Sequence, residues 1–72
     1  MDALKNIVSR VLGIPAASIT AELSRENTPE WDSFNHLMLV SEIEKELGVQ
    51  ITMAQIENIK TFDDLEKIIS TV

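Results

Sequence analysis

No disulfide can hold this chain together, because its sequence contains no cysteine. A structural zinc site is also disfavoured, since His36 is the sole histidine and such sites need about four nitrogen or sulfur ligands. With 72 residues, the core lies near the lower limit for independent folding. We therefore predict a single domain, residues 1–72, that is stabilised by well-formed helices packed around a small aliphatic core.

The chain is acidic, with 12 Asp and Glu residues against 6 Lys and Arg and a formal net charge of −6. Such a surface repels phosphate backbones, which disfavours nucleic-acid binding. It attracts a basic partner surface, although acidity that only keeps a small domain soluble explains the same composition. The N-terminal segment carries charges inside its apolar run and does not read as a signal peptide, and no apolar run approaches the roughly 20 residues that span a bilayer. We expect a cytoplasmic monomer without a membrane span.

The first helix is predicted from the spacing of apolar residues after Asp2, which is a candidate N-cap. The pattern ends at about Leu12, where Gly13 is a C-terminal stop and Pro15 prevents continuation. This segment therefore predicts a helix of about three turns.

Residues 13–32 form a connection that is longer than the usual helix–helix linker. Ile14, Ile19 and Leu23 are predicted to anchor it to the core, with a short helical turn near the start of the segment. Residues 24–30 contain no apolar side chain, and we expect them to be the most mobile part of the domain.

Three more helices are predicted downstream. The second covers residues 33–47 and ends at Gly48, where a left-handed cap is typical of glycine. The third, over residues 52–59, opens with capping-box spacing, and the fourth opens at Thr61 with acidic residues in its first turn. The predicted fold class is all-α, a four-helix bundle with a long first loop and a short third helix.

The second helix has two apolar groups on its helical wheel. The arc expected to face the core contains His36, Leu39, Val40, Ile43 and Leu47. Phe34 and Met38 lie on a different side, close to Ser33. Two interpretations remain open for them: a patch that docks a partner, or half-buried side chains that cover part of the long connection.

Ser33 is the residue with the most unusual setting. It lacks the base and oxyanion donors that a nucleophilic serine needs, because His36 is predicted to point inward and no flanking glycines form a nucleophile elbow. Capping by Ser33 or Asp32 accounts for a polar residue here. An anionic phosphodiester on the serine oxygen would be stabilised by the positive end of the helix.

At this point the sequence resembles the acyl carrier proteins over essentially its whole length. Asp32-Ser33-Phe34 resembles the Asp-Ser-Leu motif of that family, and it is followed by an amphipathic helix with an acid-rich end over residues 42–49. The resemblance implies a carrier rather than an enzyme. It implies that Ser33 receives 4′-phosphopantetheine from coenzyme A, and that cargo is held as a thioester on this arm. The missing cysteine is then understandable, because the reactive thiol belongs to the arm.

The resemblance also implies partners. A phosphopantetheinyl transferase attaches the arm, and acyl- or aminoacyl-loading and transferring enzymes with basic or apolar surfaces dock on the carrier. The implied docking surface comprises Asp32, Phe34, Leu37, Met38, Ser41, Glu42 and Glu44. The implied cargo cleft comprises Leu37, Val40, Ile43, Ile51, Ile56 and Ile59, although simple core packing explains these positions too.

Several positions depart from the family pattern. Phe34 replaces the usual leucine, Trp31 stands where a small residue often precedes the aspartate, and Asn35, Met38 and Lys45 occupy positions where fatty-acid-synthesis carriers usually have acids. We therefore expect a stand-alone carrier for a dedicated secondary-metabolite, polyketide, nonribosomal-peptide or surface-polysaccharide pathway. The alternatives are a fatty acid synthesis carrier and a carrier-like interaction module that has no arm.

Overall fold

A computed structural model describes residues 2–71 of the chain, with side chains described for residues 3–70. As predicted, the fold is all-α with a long first connection and a short third helix. The elements are α1 (Asp2–Leu12), a 3₁₀ turn (Ala16–Ser18), α2 (Ser33–Leu47), α3 (Met53–Asn58) and α4 (Phe62–Thr71). Helix α1 packs against α2. The capping role predicted for the Asp2 side chain lies outside what the structure describes.

One aliphatic core holds the helices together. Trp31 and Ile19, both from the long connection, pack into it and are 2% exposed. Ile14 and Leu23, which were predicted as anchors, pack against it as partly buried side chains. The fully buried side chains of the helices and their junctions include Leu4, Val8, Leu39, Ile43, Ile59, Phe62 and Leu65. Because two connection residues lie in the core, the long first loop is part of the folded domain.

Helix α2 begins and ends on specific caps. The Asp32 carboxylate accepts a hydrogen bond from the backbone N–H of Asn35 at 2.8 Å, so Asp32 is the N-cap. At the other end Gly48 has a φ of +66° and donates its N–H to the carbonyl of Glu44. A left-handed residue ends a helix at low steric cost only when it is glycine. The sequence left the cap open between Ser33 and Asp32, and the structure assigns it to Asp32.

Helix α3 has the predicted capping box. The N–H of Thr52 donates to Oε1 of Gln55 at 2.9 Å, and the N–H of Gln55 donates to Oγ1 of Thr52 at 3.2 Å. Two of the donors that a helix start leaves unpaired are thereby satisfied. The helix ends at Asn58, one residue before the predicted end, because Ile59 is its C-cap.

Residues 24–30, which we predicted to be mobile, are hydrogen-bonded to the rest of the domain. Ser24 forms an isolated antiparallel bridge with Thr61, and the N–H of Arg25 donates to the carbonyl of Lys60 at 2.9 Å. Ser24 and Asn27 exchange two side-chain hydrogen bonds, and Thr28 is buried. Backbone groups and short polar side chains make these bonds, so an apolar pattern contains no signal for them.

The start of helix α4 depends on Asp64. Its Oδ2 accepts hydrogen bonds from the backbone N–H groups of Lys60 and Thr61 at 2.9 and 3.1 Å, while its own N–H donates to Oγ1 of Thr61. The bond from Lys60, together with those from Thr61, lowers the pKa of the Asp64 carboxyl despite some desolvation. The charged carboxylate is therefore more stable in the folded than in the unfolded chain.

We predict that Asp64→Asn lowers the free energy of unfolding at neutral pH by about 0.5–1 kcal/mol, the usual worth of such a cap. Since folding lowers the pKa of Asp64, its stabilisation is present above the unfolded pKa and is lost as the pH falls below about 4. Urea unfolding should therefore show a wild-type advantage at pH 7 that shrinks towards pH 3. Asp63→Asn is the matched control, because it removes the same charge from an exposed pair with Lys67. An equal pH dependence in the two variants would contradict the assignment.

Candidate functional site

Ser33 is exposed and is the first residue of helix α2. Since Asp32 provides the cap, the serine hydroxyl is not needed to start the helix. Within residues 3–70, Ser33 Oγ makes no hydrogen bond to the protein. The hydroxyl therefore stands in solvent at a fixed position on a stable helix.

The electrostatics at Ser33 favour an anion. The first N–H groups of a helix lack intrahelical acceptors, and the helix dipole adds partial positive charge at this end. The Asp32 side chain accepts the backbone N–H of Asn35, and the Asp32 carbonyl accepts that of His36. The backbone N–H groups of Ser33 and Phe34 therefore remain as donors beside the Ser33 hydroxyl. A phosphodiester on Ser33 would thus be attached at a favourable place.

Ser33 lies at the rim of two surface grooves, and Arg25 borders both. The larger groove, about 740 Å³, lies between the long connection and the starts of α2 and α4. The smaller, about 320 Å³, lies between α2 and α3. The larger is lined by Ser24, Arg25, Glu26, Trp31, Asp32, Ser33, Lys60 and Thr61. The smaller is lined by Arg25, Ser33, His36, Leu37, Met53, Ile56 and Glu57.

The predicted cargo-cleft residues divide into two groups. Leu37 and Ile56 line the smaller groove together with Ser33. The other four, Val40, Ile43, Ile51 and Ile59, are buried in the core. The structure thus brings two of the six residues to an open surface beside Ser33, and a cleft that includes the other four stays a prediction.

Trp31 and His36, which flank Asp32 and Ser33 in the sequence, form a buried pair. The indole N–H of Trp31 donates to Nδ1 of His36 at 3.0 Å, and Nε2 of His36 lies 2.9 Å from the carbonyl oxygen of Ile56. Because an indole N–H can only donate, Nδ1 must accept, and the ring proton must be on Nε2. Both ring nitrogens are therefore occupied, and His36 cannot serve Ser33 as a base. The inward, structural position predicted for His36 agrees with this geometry.

The apolar part of the predicted docking surface is open to solvent. The exposed fractions are 71% for Phe34, 60% for Leu37 and 44% for Met38. Phe34 and Leu37 therefore do not cover the long connection, and only Met38 is near half-buried. Met53, at the start of α3, is 70% exposed and was not predicted as a surface residue. Its position directly after the Thr52 cap was the available signal, because first-turn side chains often face outward.

The polar part of the predicted docking surface is partly engaged within the domain. The Glu44 carboxylate accepts the N–H of Ile51 at 2.9 Å, and Glu42 pairs with Arg10, which also contacts Glu46. Ser41 and Asp32 are exposed, with Asp32 acting as the cap. The two glutamates therefore stabilise contacts within the domain. A partner that bound their carboxylates would compete with these internal bonds or add to them.

The described part of the chain has neither a metal-binding cluster nor a membrane-spanning helix. Residues 2–71 contain no group of three His, Cys, Asp or Glu side chains arranged to hold a metal ion. None of the helices described there is both long and apolar enough to cross a bilayer.

Comparison with known proteins points to one family, both by its family model and by individual relatives. The family model described as a phosphopantetheine attachment site matches residues 2–69. An acyl carrier protein of Saccharopolyspora erythraea is 33% identical over 60 residues, which cover 83% of this chain and 63% of that protein. One from Thermobifida fusca is 29% identical over 65 residues, 90% of this chain and 82% of that protein.

The fold comparison agrees with the sequence comparison. A solved Mycobacterium tuberculosis structure, described as an acyl carrier protein, superimposes with a TM-score of 0.87 at 26% identity. The superposition covers 97% of this chain and 93% of that one. Because the superposition covers nearly all of both chains, the two proteins share the helices and also the long connection.

Proposed function

This chain belongs to the acyl carrier protein family, whose domain is the site of covalent 4′-phosphopantetheine attachment, and we propose that Ser33 is the residue that receives the arm. Members of this family carry cargo and do not catalyse its reactions. The observation that supports Ser33 most directly is its exposed position at the start of α2, inside the Asp-Ser-Phe sequence, with the cap supplied by Asp32.

Other serines in the chain fit the role less well. Ser9 and Ser70 donate their hydroxyls to backbone carbonyls, and Ser24 accepts the N–H of Asn27. Ser41 is exposed but lies within α2, away from its positive end. Ser18 is exposed too, but it is the last residue of the short 3₁₀ turn and does not begin an α-helix. Ser33 alone among the six serines combines an uncommitted hydroxyl with the start of an α-helix.

In the transfer, Ser33 Oγ attacks the β-phosphorus of coenzyme A. A new P–O bond forms, the bond between the two phosphates breaks, and the adenosine bisphosphate leaves. The transferase supplies Mg²⁺ and the base that takes the serine proton, because His36 is occupied and buried. The thiol at the end of the attached arm then holds cargo as a thioester, and tethering raises the effective concentration of that cargo at a docked enzyme.

The direct test is to incubate the apo protein with coenzyme A, Mg²⁺ and a promiscuous phosphopantetheinyl transferase. Intact mass should rise by one phosphopantetheine group, and fragmentation should place that group on the peptide containing Ser33. A group found on Ser41 or on any other serine would overturn the assignment.

The pathway served by this carrier is a finer proposal. Asn35, Met38 and Lys45 reduce the acidity of the exposed side of α2, and Glu42 and Glu44 are engaged within the domain. A mixed apolar surface of this kind favours a dedicated pathway for a specialised metabolite, peptide, polyketide or surface polysaccharide over fatty acid synthesis. We also propose that the protein acts in the cytoplasm as a monomeric single domain, residues 1–72.

We also propose that the exposed apolar side chains of α2 dock partner enzymes. Met38→Glu should then lower kcat/KM for loading by the transferase roughly 30-fold, since an apolar hot-spot contact is worth about 2 kcal/mol. The side chain is 44% exposed, so the fold should be retained. Gln50→Glu is the control, because it adds the same charge at an exposed position outside the helices. Unchanged kcat/KM together with a lower melting temperature would show that Met38 packs internally instead.

A further inference from the structure

The larger groove beside Ser33 contains two cations, Arg25 and Lys60, that the attachment chemistry leaves unexplained. The antiparallel bridge between Ser24 and Thr61, and the hydrogen bond from the N–H of Arg25 to the carbonyl of Lys60, fix the register of the two segments. In that register Arg25 and Lys60 are directly opposite each other, and both line the same groove. The fold therefore places two cationic residues at opposite positions, and both line the groove that Ser33 also lines.

This juxtaposition is unfavourable by itself, because like charges directly opposite each other in an antiparallel pair repel. Two other cations of the chain have anionic partners in the structure: Arg10 pairs with Glu42 and Glu46, and Lys67 pairs with Asp63. Among residues 3–70, neither Arg25 nor Lys60 forms an ion pair. Two carboxylates also line the groove, but Asp32 is committed to the α2 cap and Glu26 is exposed to solvent.

We propose that Arg25 and Lys60 bind the phosphodiester of the arm attached to Ser33, an inference that rests on the proposed attachment. The phosphodiester is the one anion that must be present at this rim in the loaded protein. It would relieve the repulsion between the two cations, and they would offset the unfavourable field of Asp32 and of a chain with a net charge of −6. Arginine suits this role because its planar guanidinium makes two parallel hydrogen bonds to phosphate.

A consequence follows for the direction of the arm. Because Arg25 borders both grooves, a phosphate held by it lies where the two grooves meet. The flexible part of the arm then starts from a fixed point with access to either groove. The cation pair would thus set the starting position from which cargo is presented.

The test compares apo and loaded protein, with complete loading first verified by mass, so that a failure of attachment is recognised before any binding is measured. NMR should show that loading shifts the Nε–Hε signal of Arg25 and the side-chain signals of Lys60, while those of Lys5 and Lys45 stay in place. Loading should also raise the melting temperature by about 2–4 °C at low salt, and high salt should reduce this gain.

The double variant Arg25→Gln/Lys60→Gln should lose the gain in melting temperature on loading. Lys5→Gln/Lys45→Gln, which has the same net charge, should keep it. Equal gains in both double variants, or unchanged Arg25 signals, would overturn the proposal. Slower loading of the first double variant with an unaltered gain would also overturn it, since the cations would then act on the diphosphate of free coenzyme A during transfer.

Discussion

Ser33→Ala should take up no phosphopantetheine under conditions that load the wild type completely, and it should remain folded. Attachment needs the serine oxygen as the attacking atom, and alanine has none. The cap of α2 belongs to Asp32, so the helix start survives the change. Ser33 is exposed and alanine is the best helix former, so we expect a melting temperature within about 3 °C of the wild type.

Ser41→Ala is the matched control, because it removes an exposed hydroxyl from the same helix and should load at the wild-type rate. Loading of Ser33→Ala would show that another residue carries the arm. A wild type that takes up no phosphopantetheine from any transferase would favour the interaction module without an arm. That alternative treats Ser33 as a capping residue, and the hydrogen bond from Asn35 to Asp32 removes this explanation for the serine.

The sequence predicted the helices well because their signals are local. Apolar spacing marks the buried face of each helix, while Gly48 and the Thr52–Gln55 box mark where helices end and begin. The same periodicity placed His36, Leu39, Val40 and Ile43 inside and Phe34 on the surface. The motif around Ser33 is also a contiguous stretch of sequence, so it could be recognised without a structure.

What the sequence did not predict depends on contacts between distant segments. The bonds that hold Ser24 and Arg25 beside Lys60 and Thr61 join two stretches without an apolar pattern. The opposed cations follow from that register and have no signature in either stretch alone. Trp31 was read as a departure from a family motif, whereas its burial depends on a partner, His36, that the helical wheel could only place inside.

Trp31→Ala should lower the free energy of unfolding by about 4–8 kcal/mol. Removing a buried tryptophan leaves a cavity worth about 3–5 kcal/mol, and the unpaired Nδ1 of buried His36 adds about 1–3 kcal/mol. Trp31 is 2% exposed and donates its indole N–H to His36 in the first turn of α2. Since domains of this size are stable by only about 5 kcal/mol or somewhat more, the variant should be largely unfolded at 37 °C.

Urea unfolding followed by far-ultraviolet circular dichroism measures this loss without relying on the deleted fluorophore. Phe34→Ala is the control: its side chain is 71% exposed, so the free energy of unfolding should change by no more than about 0.5 kcal/mol. A loss of 1 kcal/mol or less in Trp31→Ala would contradict the burial of the indole.

The hydrogen bond can be separated from the cavity with Trp31→Phe, which keeps much of the ring volume and leaves His36 Nδ1 without a donor. Adding His36→Leu should recover part of the lost stability, because removing both partners of a buried hydrogen bond costs less than removing one. The carbonyl of Ile56 stays paired in this double variant, since it also accepts the N–H of Ile59. If the pair also fixes the start of α2, Trp31→Phe should load more slowly than the wild type while Ser33 remains intact. An additive loss of stability in the double variant would show that the Trp31–His36 bond contributes nothing beyond packing.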